Sequence, residues 1–284
     1  MLNITNGDCA VALLERFGDV LPWRDVLHEG PVRAGLSHEE LSRERAAFIA
    51  EAGWATFEEA LSSFEERDAV LRGAPLHAEV VLWFEHDLYD QLQLIQVLDW
   101  FARHPVGRVS LVCEAEYLGT MASARAAELF QSRKAVTPRQ LELGEAAWLA
   151  FRSPHPAPLV ELLGEDLMAL PFLRAALVRH LQEFPWFDDG LSRTERSILD
   201  ALPGDFNTLF QATREDPVFM GDAVLRWHLQ RMELEGWLRR RGDRWEATGE
   251  TRRRFPRWLG GVLVEPASPW RWDRARNELY LPSR

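Results

Sequence analysis

The chain has 284 residues, a formal net charge of -11 (33 Lys and Arg against 44 Asp and Glu) and a hydrophobic fraction of 46%. That length suits two ordinary domains. The acidic balance argues against a protein that coats nucleic acid nonspecifically, because phosphate binding needs neutralising cations. Apolar runs such as Val80 to Phe84 fall well short of a bilayer span, so no membrane role is expected. The start Met1-Leu2-Asn3-Ile4 carries no basic leader, and cytoplasm is the expected location. Cys9 and Cys113 are the only cysteines, which excludes a disulfide framework and a four-cysteine metal site. Lys134 is the only lysine, a bias read as GC-rich coding rather than as anion recognition.

Leu2 to Thr5 reads as a strand, Asn6-Gly7-Asp8 as a turn, and Cys9 to Phe17 as a helix stopped by Gly18. Val20 to Trp23 reads as a second strand. Arg24 to Leu36 has no period and reads as a loop able to cover a pocket. Two helices follow, each opened by a capping box, Ser37 with Glu40 and Thr56 with Glu59, and closed near Gly53 and Gly73. Glu79 to Phe84 is a continuous apolar strand, followed by Glu85-His86-Asp87 and a helix from Leu88 to Arg103. Arg108 to Cys113 is a third buried strand, with an alanine-rich helix beyond Thr120. Thr137-Pro138 opens another helix, and the proline-rich stretch 153–158 breaks the chain.

Alternating strand and helix predicts an α/β fold with a Rossmann-like, mostly parallel sheet over 1–152, followed by a helical connector over 153–190. Ser192 with Glu195 caps a helix over Arg193 to Leu202. Further helices are read over Phe206 to Thr213 and Asp222 to Gly236, the latter with Leu225, Leu229 and Met232 on one face. A hairpin is read at Trp237 to Ala247. That order predicts a winged helix-turn-helix over 191–255, trailed by a Trp-rich arm over 256–284 that packs back as a strand.

In a parallel sheet, residues just past the strand ends share one crevice. Glu85-His86-Asp87 concentrates three ionisable groups directly after a buried strand, which is costly unless they meet water, a metal or each other. His86 is the candidate acid-base group or ligand, with Glu85 and Asp87 orienting it. The alternative is an acidic helix start favoured by the dipole. Asp90 reads as a solvated helix position. His28 and Glu29 in the loop complete the set, and Asn6, Gly7 and Asp8 at a helix N-terminus, with Arg24, form the expected anion cradle. Asp8 capping its own helix is the plainer alternative. A divalent zinc or manganese on His28, His86, Asp8 and Asp87 is the candidate cofactor, though no recognised metal spacing supports it. Dinucleotide, phosphate-loop and serine-hydrolase motifs are absent. Cys9 reads as a small buried cysteine. In the C-terminal module Arg226, Gln230, Arg239, Arg240, Arg241 and Arg244 form a candidate phosphate-contacting face, extended by Arg252 to Arg254 and weakened by interleaved acids.

The segments Ile4 to Asp8, Pro22 to Pro31 and Leu82 to Leu92 resemble the bacterial domain-of-unknown-function family numbered 1835, over about the first half of the chain. The resemblance marks these segments as the family's hallmark and implies no particular activity. The leading expectation is an α/β domain that binds, and by extension hydrolyses or transfers, a small phosphate-bearing or polar ligand. A ligand-responsive DNA-binding regulator and a non-enzymatic interaction adaptor are the alternatives.

Overall fold

The computed structural model describes residues 1–215, 218–248 and 253–281. The chain divides into two compact units, Met1–Ala176 with Gly260–Val262, and Leu177–Leu259 with Leu263–Arg284. The stretch expected as a connector, 153–190, is thus shared between them.

The first unit holds β1 (Leu2–Asn6), α1 (Val11–Leu14), β2 (Asp19–Trp23), β3 (Gly30–Pro31), α2 (His38–Glu51), α3 (Phe57–Arg72), β4 (Val80–Glu85) and α4 (Leu88–Arg103). Then come β5 (Val109–Glu114), α5 (Ser123–Ser132), β6 (Lys134–Ala135), α6 (Pro138–Phe151) and α7 (Ala157–Leu162), with the unit boundary falling inside α8 (Leu173–Leu181). Its sheet runs β2-β1-β4-β5-β6, with β2, β1, β4 and β5 parallel and β6 antiparallel to β5. Val80 to Phe84 are all buried because this strand lies inside the sheet with side chains covered on both faces.

On one face Ala10 and Leu14 meet Val81, Trp83, Val112 and Leu129. Trp83 keeps its indole N–H satisfied by Asn3 Oδ1 at 3.0 Å. On the other face α4 packs on β4 and against α6. Gly144 permits that approach, since a Cβ there would stand 2.4 Å from Leu98 Cβ. The boxes at Ser37 and Thr56 form in both directions, and α2 and α3 close over Ala46, Ile49, Ala60 and Phe64.

The expected helix over Cys9 to Phe17 shrinks to α1 plus a 3-10 turn at Glu15–Phe17. Asp8 does not cap it: Ala10 stands at the N-cap with no side-chain bond, because the Asp8 carboxylate is drawn to Arg24. Cys9 is exposed, not buried, since the turn before α1 carries it out of the core.

The second unit contains α9 (Arg193–Asp200), β7 (Gly204–Asp205), α10 (Phe206–Thr213), a short antiparallel pair β8 (Arg214–Glu215) and β9 (Val218–Phe219), and α11 (Asp222–Leu234). A hairpin of β10 (Leu238–Arg241) and β11 (Arg244–Ala247) follows, and β7 joins its β11 side. The strands β12 (Arg257–Gly260) and β13 (Val262–Val264) precede an antiparallel pair, β14 (Arg271–Asp273) and β15 (Glu278–Tyr280). The Trp-rich tail does pack back as strand: Trp272 is buried and exchanges backbone hydrogen bonds with Pro185 and Phe187, each 3.0 Å. A buried ion cluster ties this unit. Burial raises the Glu183 carboxyl, but Arg179 and Arg257 outweigh it and hold the group well below the usual range.

Candidate functional site

The chain leaves β1 toward β2 on one side and reaches β4 and β5 on the other, so strand order reverses between β1 and β4. A crevice opens at the carboxyl ends of strands at such a reversal. Asn6 ends β1 and Glu85 ends β4. Asp87 caps α4 by accepting the Asp90 N–H at 3.0 Å. Asp90, one turn in, folds back across the reversal: its Oδ1 accepts the Glu85 N–H at 2.8 Å and its Oδ2 the Asn6 side-chain N–H at 2.5 Å. Gln91 donates to the Glu85 carbonyl at 2.6 Å, and the Glu85 carboxylate accepts the Leu118 N–H at 2.6 Å. The Gln91 Oε1 atom is buried with no hydrogen-bond partner among the described residues.

Glu85, Asp87 and Asp90 each offer an oxygen within 4.8 Å of the other two. At that spacing two carboxylates repel by about 3–4 kcal/mol for an effective dielectric of about 20, more than two pKa units for one pair. Burial first, and then the charge of Asp87, push Glu85 up to about 7 against the Leu118 N–H that lowers it. Burial raises Asp87, and burial with the charges of Asp87 and Glu85 raises Asp90 well above the usual range. A bound cation would relieve this repulsion and favour the ionised trio. Oxygen-only donors suit a hard ion such as Mg²⁺, Mn²⁺ or Ca²⁺. Two oxygens on opposite sides of one Ca²⁺ at about 2.4 Å stand about 4.8 Å apart, so the spread is compatible with a shared ion.

The expected covering loop is fastened from beneath. Arg45, 1% exposed, pairs with Asp25 at 2.9 Å and donates to the carbonyls of Val26 (2.9 Å), Glu29 (2.7 Å) and Pro31 (3.2 Å). Gln93 of α4 donates to the Asp25 carbonyl at 2.8 Å. Gly30 takes φ +77°, and a Cβ there would stand 2.4 Å from the Phe48 ring. So held, the loop lays the His28 ring on Tyr89, in the first turn of α4, at 3.6 Å and 14°.

Of the residues singled out from sequence, Glu85 and Asp87 converge, while His86 lies between Tyr117 (5.2 Å) and Phe172 (6.0 Å). His28 is an aromatic wall beside Tyr89, and Glu29 is buried, its carbonyl held by Arg45. The set His28, His86, Asp8 and Asp87 is not gathered, because Asp8 lies in an exposed ion pair with Arg24 at 2.6 Å. The anion cradle of Asn6, Gly7, Asp8 and Arg24 does not form either. The Asn6 amide serves Asp90, the Gly7 N–H goes to the Trp23 carbonyl at 3.1 Å, and the four-residue α1 has little dipole to offer.

Asp90, read as solvated, is fully buried and is the hinge of the cluster. The spacing Asp87-x-x-Asp90 directly after a buried strand was its signal, since it sets both carboxylates on one turn. Arg45 and Gln91 gave no such signal, looking like ordinary helix positions.

In the second unit Arg226, Gln230, Arg239, Arg240, Arg241 and Arg244 are all exposed. Arg239 and Arg241 both reach Glu246 (3.4 and 3.3 Å), Arg240 lies over Trp245, Arg226 over Phe206, and Arg244 donates to the Pro203 carbonyl. Arg252 lies outside the described residues.

No helix among the described residues is long and apolar enough to cross a membrane. No family model, curated protein or solved structure matches the chain.

Proposed function

We propose that the first unit binds a hard divalent cation on Glu85, Asp87 and Asp90 and, through that ion, a small phosphate-bearing ligand at the sheet's carboxyl edge. The observation that carries this reading is the convergence of three raised carboxylates at the reversal between β1 and β4. A phosphate cannot approach three acids unaided, and with Arg24 engaged by Asp8 the cation is the partner left to receive it. The buried, unpartnered Gln91 Oε1 beside Glu85 adds an oxygen that lacks a donor. A bound divalent ion lowers the pKa of its water, so hydrolysis is the natural extension of the site. The segments resembling the domain-of-unknown-function family 1835 end at this turn and at the clamped loop, which is consistent with a shared site.

The test uses the full chain with Mn²⁺, followed by electron paramagnetic resonance and calorimetry. Asp87→Asn is the decisive variant because Asn caps a helix as well as Asp, so the fold stays while a ligand charge goes. Stoichiometric Mn²⁺ binding, weakened at least tenfold in Asp87→Asn, with pyrophosphate binding only when the ion is present, is the expected result. Binding of pyrophosphate without a cation, or Mn²⁺ binding unaffected by Asp87→Asn, overturns the reading.

A second reading concerns the other unit, whose helices α9 to α11 and hairpin follow the winged-helix order. Exposed Arg226, Arg239, Arg240, Arg241 and Arg244 favour a DNA backbone contact there, while Glu246 tempers it.

A further inference from the structure

The turn that carries the acidic trio also gathers aromatic rings. His86 stands between Glu85 and Asp87 in the chain, and its ring lies 5.2 Å from that of Tyr117 and 6.0 Å from that of Phe172. Tyr117 is fixed there by the trio itself, because the next residue, Leu118, donates its backbone N–H to the Glu85 carboxylate at 2.6 Å. All three rings are half-buried. They meet at 54° and 66°, so neither contact closes one ring face against another as a parallel stack does. The other aromatic pair of the site, His28 on Tyr89, is stacked at 3.6 Å and 14° and spends its inner faces on itself. An aromatic group arriving with a ligand of the trio therefore meets partly exposed ring surface on the His86 side.

Room for such a group lies next to those rings. Glu114 is the β5 partner of Glu85, one strand spacing of about 4.8 Å away, and Pro171 directly precedes Phe172. Both line a cavity of about 230 Å³, as does Cys113, whose sulfur accepts a hydrogen bond from the Gln91 amide at 3.4 Å. That volume is below the range of about 300–1,000 Å³ for a whole small-molecule site, as suits a compartment that takes one end of a ligand whose other end stays on the ion. The wall is apolar at Leu111 and Leu129, polar at Ser132 and Gln140, and charged at Glu114, Arg133 and Lys134. Such a mixture fits a heterocycle and its sugar better than a hydrocarbon ring.

We propose that the phosphate-bearing ligand of the trio is a nucleoside phosphate, with its phosphate on the cation and its base against the rings of Tyr117 and Phe172. The proposal rests on the cation reading above, and the probes are chosen to separate the two. They are AMP and ribose 5-phosphate, alike in sugar and phosphate and differing in the base. The full chain, loaded with Mn²⁺, is titrated with each by calorimetry. AMP is expected to bind at least about fivefold more tightly, the lower end of what stacking one base on an aromatic ring supplies. Tyr117→Leu and Phe172→Leu each bring the affinity for AMP toward that for ribose 5-phosphate. With Mg²⁺ in place of Mn²⁺, NMR on the unaltered chain should show Overhauser contacts from the base protons to the Tyr117 and Phe172 rings, a readout that stands even if either variant fails to fold. Equal binding of the two compounds, or a preference for AMP without those ring contacts, overturns the nucleoside assignment and leaves the cation reading standing. Binding of neither compound overturns the assignment as well, and pyrophosphate then tells whether the cation reading falls with it. AMP binding that does not depend on the ion overturns both.

Discussion

Arg45 engages all of its guanidinium nitrogens below the surface, and its partner Asp25 is equally buried. Removing one member of such a pair leaves an uncompensated charge, so Arg45→Met is expected to cost about 3–5 kcal/mol in urea unfolding, well above the loss of a surface ion pair. The same variant releases the loop, and amide exchange should accelerate at Glu29, whose N–H bonds the Val26 carbonyl. At Gly30, alanine meets both a left-handed backbone and the Phe48 ring, and Gly30→Ala is expected to cost at least about 2 kcal/mol in the same assay. By contrast Asp8 and Arg24, 64% and 53% exposed, form a pair whose loss should move stability by less than about 1 kcal/mol. A larger loss in Asp8→Ala would show that the turn after β1 needs that bond.

At the scale of elements, α2, α3 and α9 each begin with a reciprocal capping box. Ser37→Ala and Thr56→Ala should each cost about 1 kcal/mol and add, since they start different helices. The N-terminus of α4 behaves differently, because Asp87 there serves both as cap and as a member of the trio. Glu85 is raised by burial and by Asp87 from 4.5 to about 7, and Asp87 and Asp90 are raised too, so the folded chain holds more protons than the unfolded one between those values. This stability contribution is present below the unfolded pKa and disappears as pH rises through the folded one. With a chelator present, scanning calorimetry should show the unfolding temperature of the unaltered chain falling relative to Asp87→Asn between about pH 4.5 and 8. Mn²⁺ should reverse that fall at the alkaline end. A flat difference across the range would mean that the carboxylates do not couple.

At the scale of the molecule, any nucleic-acid contact must overcome a net charge of -11, so it should be local and strongly salt-dependent. If the hairpin makes it, changing Arg239, Arg240 and Arg241 to Ala lowers the log-log salt slope of duplex binding by about 2–3, measured by fluorescence anisotropy. An unchanged slope removes the hairpin from that role. The α/β alternation, the capping boxes, the buried strand at Val80 to Phe84, the three helices with their hairpin and the acidic turn Glu85-His86-Asp87 were legible in the sequence. Each depends on neighbours within a few residues, the range over which periodicity and capping act. The short α1, the burial of Asp90 and the grip of Arg45 were settled only by tertiary structure. Asn6 and Asp90 are 84 residues apart, the paired residues of β1 and β4, such as Leu2 and Val80, are almost as distant, and no local pattern records which side chains a parallel sheet brings together. So the sequence by itself determined that acids gather where strands end, and the order of strands in the sheet decided which acids meet.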